Sequence, residues 1–154
     1  MDEQLLETWA IHNRINLYLL DAVPPEALGD VSASKGRTVA EQFAHMHNVR
    51  LMWLKEGAPD LLAELRKIEK GDAADAALLR SALESSAGAV AELLRRSLAS
   101  GARVKGFKPH AVAFLGYLVS HESHHRGQIA LTLKQAGHPL DKKTAYGLWE
   151  WGVR

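Results

Sequence analysis

The sequence predicts an all-α protein, and more specifically a four-helix bundle. Apolar residues recur at helical spacing over four long segments, and no segment alternates polar and apolar residues for long enough to form a strand. The chain has 154 residues, of which 47% are hydrophobic and 24% are charged, and this length and composition are typical of one globular domain. We therefore expect residues 1–154 to form a single domain, with connections long enough to allow a crossover topology.

Polar caps and prolines delimit the first two helices. Asp2 is a fair N-cap for a first helix whose apolar positions run over residues 5–19, and Pro24-Pro25 stops that helix. A connection rich in small residues follows. The segment Thr38–Glu41 has the spacing of a capping box, so the second helix is expected over about residues 39–55.

A shorter element precedes the third and fourth helices. Residues 60–68 are expected to form a short connecting helix, and residues 100–109 are expected to form a loop. Between them, a long third helix carries one apolar stripe, made of Leu79, Leu83, Ser86, Ala87, Val90, Leu93, Leu94 and Ser97. The fourth helix is expected from about His110 to Gln135, before a glycine and a proline end it.

The C-terminal tail is unusually aromatic for a segment without a long helix. Residues 138–154 contain Tyr146, Trp149 and Trp151, so we expect the tail to pack back onto the bundle. The four tryptophans of the chain and an alanine-rich third helix would leave apolar surface that a small bundle does not bury alone. We therefore expect a homodimer, because a two-fold contact is the commonest way to cover such a surface.

Composition excludes several classes of function. The chain has no cysteine, which excludes disulfides, thiolate metal sites, iron–sulfur clusters and cysteine nucleophiles. Its 19 Lys and Arg against 18 Asp and Glu give a net charge of +1, which does not favour nucleic acid as a partner. No apolar run approaches the ~20 residues of a membrane span, and Met1–Glu3 lacks the basic region of a secretion signal. The expected location is the cytoplasm.

Two histidines on the fourth helix have the spacing of metal ligands. The chain contains eight histidines, and His121 and His125 project from one helix face about one turn apart. Two ring nitrogens at this spacing can reach one cation at ~2.1 Å. Both residues lie on a stripe that is otherwise predicted to be core, formed by Phe114, Tyr117, Leu118, His121, His125, Gln128 and Thr132. The alternative is a surface or hydrogen-bonded histidine pair without a metal.

The second helix offers two candidates for a third ligand. His45 and His47 are separated by about 200° around the helix, at about 100° per residue, so both cannot face one metal. Periodicity does not choose between them. His12 is interpreted as a core histidine, and His124 is about 100° off the face of the pair, at its boundary. A third neutral imidazole would leave at least one coordination position for water or substrate.

The segment His121-Glu122-Ser123-His124-His125 also fits the zinc-protease pattern H-E-x-x-H, in which the glutamate acts as general base. Context disfavours this interpretation. Gly127 falls one position short of the longer metzincin spacing, and no strand is predicted that could hold an extended peptide. Glu150 is a candidate downstream ligand.

Three segments together resemble a known family. They are Thr38-Val39-Ala40-Glu41-Gln42-Phe43-Ala44-His45-Met46 followed by Trp53, then His121-xxx-His125-Arg126-Gly127-Gln128-Ile129, and the closing Tyr146-Gly147-Leu148-Trp149-Glu150-Trp151-Gly152. They resemble the second helix, the last helix and the C-terminal segment of the DinB/YfiT-like metalloprotein superfamily, the damage-inducible DinB family. The likeness runs from about residue 4 to the end of the chain.

The resemblance implies a four-helix bundle, commonly dimeric, with a divalent metal, often nickel or zinc, held by three histidines. The family's ligand positions fall on His45, His121 and His125. Under this alignment Glu122 points off the metal face. Some relatives resemble metal-dependent transferases that use low-molecular-weight thiols, and the resemblance fixes no substrate.

Two classes of function follow. The first is a metal-dependent enzyme, either a thiol-dependent transferase or a hydrolase, in which the cation lowers the pKa of a bound thiol or water. Because the chain has no cysteine, the transferase would need an external thiol. Glu41, Gln42 and Gln128 are candidates for orienting ligands or contacting substrate, although Glu41 is better explained as a helix cap. The second class is a non-catalytic, metal-stabilised binding or stress-response module.

Overall fold

Four long helices and one short helix make up most of the structure, a computed structural model that describes residues 1–154. They are α1 (Asp2–Ala22), α2 (Val39–Gly57), α3 (Ala76–Ser100), α4 (Ala111–Gln135) and α5 (Lys142–Gly147). The predicted all-α class is confirmed, since the only extended pairing is a single bridge between Val31 and Thr38. None of the helices is both long enough and apolar enough to cross a membrane.

Local sequence signals explain where the helices begin and end. The predicted capping box is present, because the Thr38 hydroxyl accepts from the Glu41 amide and the Glu41 carboxylate accepts from the Thr38 amide. Asp75 caps α3 through two backbone amides, and Gly101 ends that helix in the left-handed conformation, at φ 69°. Asp2 is the first residue of α1 and not its cap, which is Met1.

The helices pack so that α1 and α2 lie opposite each other, each against both α3 and α4. The core divides into two apolar clusters of 17 and 11 buried residues. The buried face of α3 consists of the eight predicted residues. On α4 the buried face is rotated relative to the prediction, since Glu122 and Ile129 are buried whereas His121 is half-buried and Gln128 is exposed.

The predicted connecting helix over residues 60–68 is wrong. Only a 3-10 turn at Pro59–Leu62 forms, and the rest of the segment follows an irregular path. Backbone groups of this segment form hydrogen bonds with side chains of α2 rather than with one another in a helix. The Asn48 amide bonds both the N–H and the C=O of Ile68, and the His47 ring donates to the Arg66 carbonyl. These hydrogen bonds therefore hold residues 63–68 against α2.

The aromatic tail packs back on the bundle as predicted, but through different residues. Gly147 is buried against Tyr18 so closely that a Cβ there would lie 2.2 Å from the tyrosine Oη. The Arg154 guanidinium lies 3.8 Å from the centre of the Tyr18 ring. Tyr146 and Trp149 are 70% and 80% exposed. The tail therefore approaches the bundle at a glycine, with Trp151 half-buried and the side chains of Tyr146 and Trp149 outside the contact.

Candidate metal centre

Three histidines converge where α2 faces α4. His45 comes from α2, His121 and His125 come from α4, and one ring nitrogen of each lies within 4.8 Å of those of the other two. The ring centres of His45 and His125 are 4.7 Å apart, and those of His121 and His125 are 4.6 Å apart. His125 is buried, whereas the other two side chains are half-buried. We call this group the histidine triad.

His47 lies outside the triad. It is 1% exposed, and its Nε2 donates to the Arg66 carbonyl at 2.8 Å. That bond is one of those that hold residues 63–68 against α2. The structure therefore brings His45, and not His47, to the pair on α4, a choice that helical periodicity left open.

A glutamine fixes the orientation of the buried member of the triad. The Nδ1 of His125 lies 2.6 Å from Oε1 of the buried Gln42. Because an amide oxygen only accepts, the proton of the neutral ring is on Nδ1 and the lone pair is on Nε2. This is the arrangement by which hydrogen bonds outside a metal site orient a histidine ligand.

The electrostatic environment keeps the triad neutral. Burial, together with the neighbouring His121 and His45, lowers the pKa of His125 to about 4. Burial and the positive charge of Arg37 lower the pKa of His45. Burial likewise lowers the pKa of His121, against the opposing effect of Glu122. Near neutral pH the rings are therefore in the unprotonated form that binds metal ions.

The donor atoms fit a divalent cation. Two ligand bonds of ~2.1 Å at angles between about 90° and 110° place their nitrogen atoms about 3.0–3.4 Å apart. The Nε2 atoms of His121 and His125 are 3.2 Å apart. The other ring nitrogen of His121, Nδ1, is buried without a hydrogen-bond partner. Three neutral imidazoles with converging nitrogens are a donor set for zinc, nickel, copper or iron rather than for magnesium or calcium.

Glu122 faces the core and not the triad. Its carboxylate accepts bonds from Arg50 at 2.7 and 2.8 Å, from Asn16 at 2.8 Å and from His12 at 3.0 Å. Burial alone would raise the pKa of Glu122, but the charge and hydrogen bonds of Arg50 outweigh burial and hold that pKa well below its usual range. A carboxylate that is fully buried and saturated in this way does not activate water, so the protease interpretation of H-E-x-x-H fails.

The other residues considered from the sequence lie outside the triad. His12 is a core histidine as predicted, since it stacks on Trp9 as well as bonding Glu122. His124 is exposed, with its ring centre 5.1 Å from that of His125. Glu41 is the N3 residue of the capping box that begins at Thr38, and it lies 3.8 Å from Lys70 Nζ. Glu150, considered as a downstream ligand, lies outside the triad and pairs with Arg154 at 4.0 Å.

Two arginines near these groups were not identified from the sequence. Arg50 is fully buried and bonds Glu122, Asn13 and Ser86. Its position among apolar residues of α2 was a usable signal, because a buried arginine requires a buried acid. Arg37 is exposed immediately before the α2 cap, and nothing in its sequence context distinguishes it from a surface residue.

An all-helical bundle with three neutral, convergent histidines defines a class of candidate metal-binding proteins. Comparison with family models narrows the class: the model of the DinB family matches residues 1–150, and the chain belongs to that family. The resemblance found in the three sequence segments is thereby confirmed. No curated protein and no solved structure gave a match to the chain.

Proposed function

We propose that this protein binds a divalent metal ion, nickel or zinc, through His45, His121 and His125 and works as a metal-dependent enzyme with a low-molecular-weight thiol as cosubstrate. The observation that carries the proposal is the convergence of three neutral imidazoles beside an open cavity of about 370 Å³, which His45 lines. A cation held there would supply Lewis-acid chemistry, lowering the pKa of a thiol or water that it binds.

The position of the triad supports a catalytic role over a structural one. The two apolar clusters bury 17 and 11 residues through hydrophobic side chains alone, and the charged groups of the core bond one another through Glu122 and Arg50. The bundle therefore has a complete core without a metal. Structural zinc sites, in contrast, are closed and contribute much of the folding energy of their domains. This difference favours an enzyme over a metal-stabilised binding module.

The chain's own residues have limited roles in the proposed reaction. Gln42 holds His125 in one tautomer and orientation. Asn48 fixes the backbone of Ile68, and both residues line the 370 Å³ cavity beside His45. With no cysteine in the chain, an external thiol is the nucleophile of the transferase version. In the hydrolase version, water is the nucleophile.

We also propose that the protein is a homodimer in the cytoplasm. The exposed Tyr146 and Trp149 and the 54% exposed Leu131 are large apolar side chains that a second copy would cover. A thiol cosubstrate is kept reduced in the cytoplasm. Sedimentation at micromolar concentration should give about twice the 16.9 kDa of one chain. A single species with the mass of one chain would contradict the dimer.

The experiment that tests the enzyme proposal compares metal-free and metal-loaded protein. Chelation should leave far-ultraviolet circular dichroism and the urea midpoint nearly unchanged, because the core is complete without the metal. Loaded protein should catalyse transfer of a small thiol to an electrophile in a screen that also contains esters and amides. Turnover of the esters or amides with inhibition by thiols would replace the transferase by a hydrolase. Unfolding on chelation, or full metal occupancy without turnover in either arm, would support the binding module.

A further inference from the structure

Arg37 lines two cavities, one of which is also lined by His45 of the triad. The cavity of about 370 Å³ is lined by both His45 and Arg37. A second cavity, of about 290 Å³, is lined by Arg37 and by Gln42, the residue that bonds His125. A ligand in the first cavity can therefore contact both the Arg37 side chain and His45.

The charge of Arg37 has no counterion within the chain. Its side chain is exposed and makes no hydrogen bond or ion pair with another residue. The other charged side chains of the 370 Å³ cavity pair with each other: Lys70 lies 3.8 Å from Glu41, and Lys67 lies 3.9 Å from Glu69. One positive charge is left over beside the histidines.

The backbone that carries Arg37 is held in an unusual conformation. Lys35 and Gly36 both have positive φ, at 67° and 105°, and such a conformation is uncommon for a lysine. The loop is tied to α4 by the Ala33 amide, which donates to Gln135 Oε1 at 3.0 Å. Strained residues of this kind persist where the surrounding structure holds them in place, and they concentrate at ligand sites. The loop therefore holds the backbone of Arg37 in place, while its guanidinium has no hydrogen-bond partner within the chain.

The geometry points to Arg37 as the residue that binds a carboxylate of the thiol cosubstrate while the sulfur meets the triad. This inference rests on the proposed function and narrows it to thiols that carry an anionic group. A guanidinium is suited to the task, because its parallel N–H donors pair with both oxygens of a carboxylate. Arg37 is then a binding residue that sets specificity.

The test uses cobalt-substituted protein and two thiols of the same length, 3-mercaptopropionate and its methyl ester. The sulfur-to-cobalt absorption band gives a Kd for each thiol. Wild type should prefer the acid over the ester by roughly fivefold at low salt, the effect expected of one partly exposed ion pair. Arg37→Gln should abolish the preference, and Arg37→Lys should retain part of it. Lys108→Gln removes the same charge at an exposed position of the distant loop and should behave as wild type.

The outcomes separate this inference from the function on which it rests. Equal affinity of wild type for acid and ester, or a preference that survives in Arg37→Gln, refutes the role of Arg37 and leaves the metal-dependent enzyme standing. A preference lost equally in Lys108→Gln also refutes it, because the effect is then one of net charge. Protein that binds no cobalt, or cobalt protein that binds neither thiol, overturns the proposed function and this inference with it.

Discussion

Two polar groups lie close together on α4 and differ in how their hydrogen bonds are satisfied. One is Glu122, and the other is the pair His121 and His125. Glu122 belongs to a core network in which Arg50, His12 and Asn16 bond its carboxylate. The histidine triad takes His121 and His125 from a neighbouring face of the same helix and His45 from α2, and the Nε2 atoms of His121 and His125 lie 3.2 Å apart. The network is complete within the chain, whereas the Nε2 atoms of His121 and His125 are paired only with each other.

The histidines themselves show the same difference. His12 donates from Nε2 to Glu122 and accepts at Nδ1 from Arg126, so both ring nitrogens are paired. In the triad, only His125 has a partner outside the group, and that partner, Gln42, orients the ring. A buried histidine bonded on both sides stabilises a fold. One that is bonded on one side and faces other histidines on the other is placed to bind a ligand.

The largest expected effect is on the core network. Glu122→Gln leaves the Arg50 guanidinium buried without a charged partner, so the free energy of unfolding should fall by about 3–5 kcal/mol, measured by urea denaturation. Glu92→Gln is the matched control, since Glu92 bonds the exposed Arg95 and Arg96 at the surface of α3. That change should cost little, because ion pairs at the surface contribute little to stability. Equal costs for the two variants would mean that the network contributes no more than a surface ion pair.

A smaller effect is expected for the residue that orients the triad. Gln42→Leu removes the acceptor from His125 Nδ1 and should weaken metal affinity about 10–100-fold, measured by competition with a chelator. Gln128→Leu makes the same change at an exposed position of α4 and should alter the affinity less than about twofold. If both variants bind metal as tightly as wild type, Gln42 does not support the site.

The smallest expected effect is a dependence of metal-free stability on pH. The pKa values of His12, His45, His47, His121 and His125 are lowered in the folded protein, that of His125 to about 4. The unfolded chain, with histidine pKa values near 6.5, then binds more protons than the folded protein. Stability should be fully present above pH 6.5 and should fall as the pH drops toward 4.5. Stability that stays flat over this range would show that the histidines titrate normally, and stability that rises as the pH drops would show that their pKa values are raised.

The helices were predictable because their signals are local. The capping box fixes the start of α2 at Val39, and the stripe of α3 follows from its apolar period. The helix predicted over residues 60–68 was wrong because the structure of this segment depends on long-range contacts. Its leucines suggest a helix, but the segment is fixed by long-range bonds from His47 and Asn48, which no local pattern reveals.

The candidate site was predictable only in part. The spacing of His121 and His125 fixes that they share a face, yet the choice of His45 over His47 depends on the rotation of α2 against α4, which periodicity does not give. The rotation of α4 is set by Glu122, whose buried partner Arg50 lies 72 residues away in the sequence. Arg37 is placed by a loop whose path depends on Gln135 at the end of α4.

The metal content of purified protein tests the central claim most directly, that the triad and not the core network binds the ion. Protein prepared without chelator should contain one equivalent of nickel or zinc by elemental analysis. His45→Ala and His125→Ala should lose it while retaining the helical circular dichroism of wild type. The controls His47→Ala and the exposed His124→Ala should keep it. Equal stoichiometry in wild type and His125→Ala, or loss in His47→Ala but not in His45→Ala, would contradict the account.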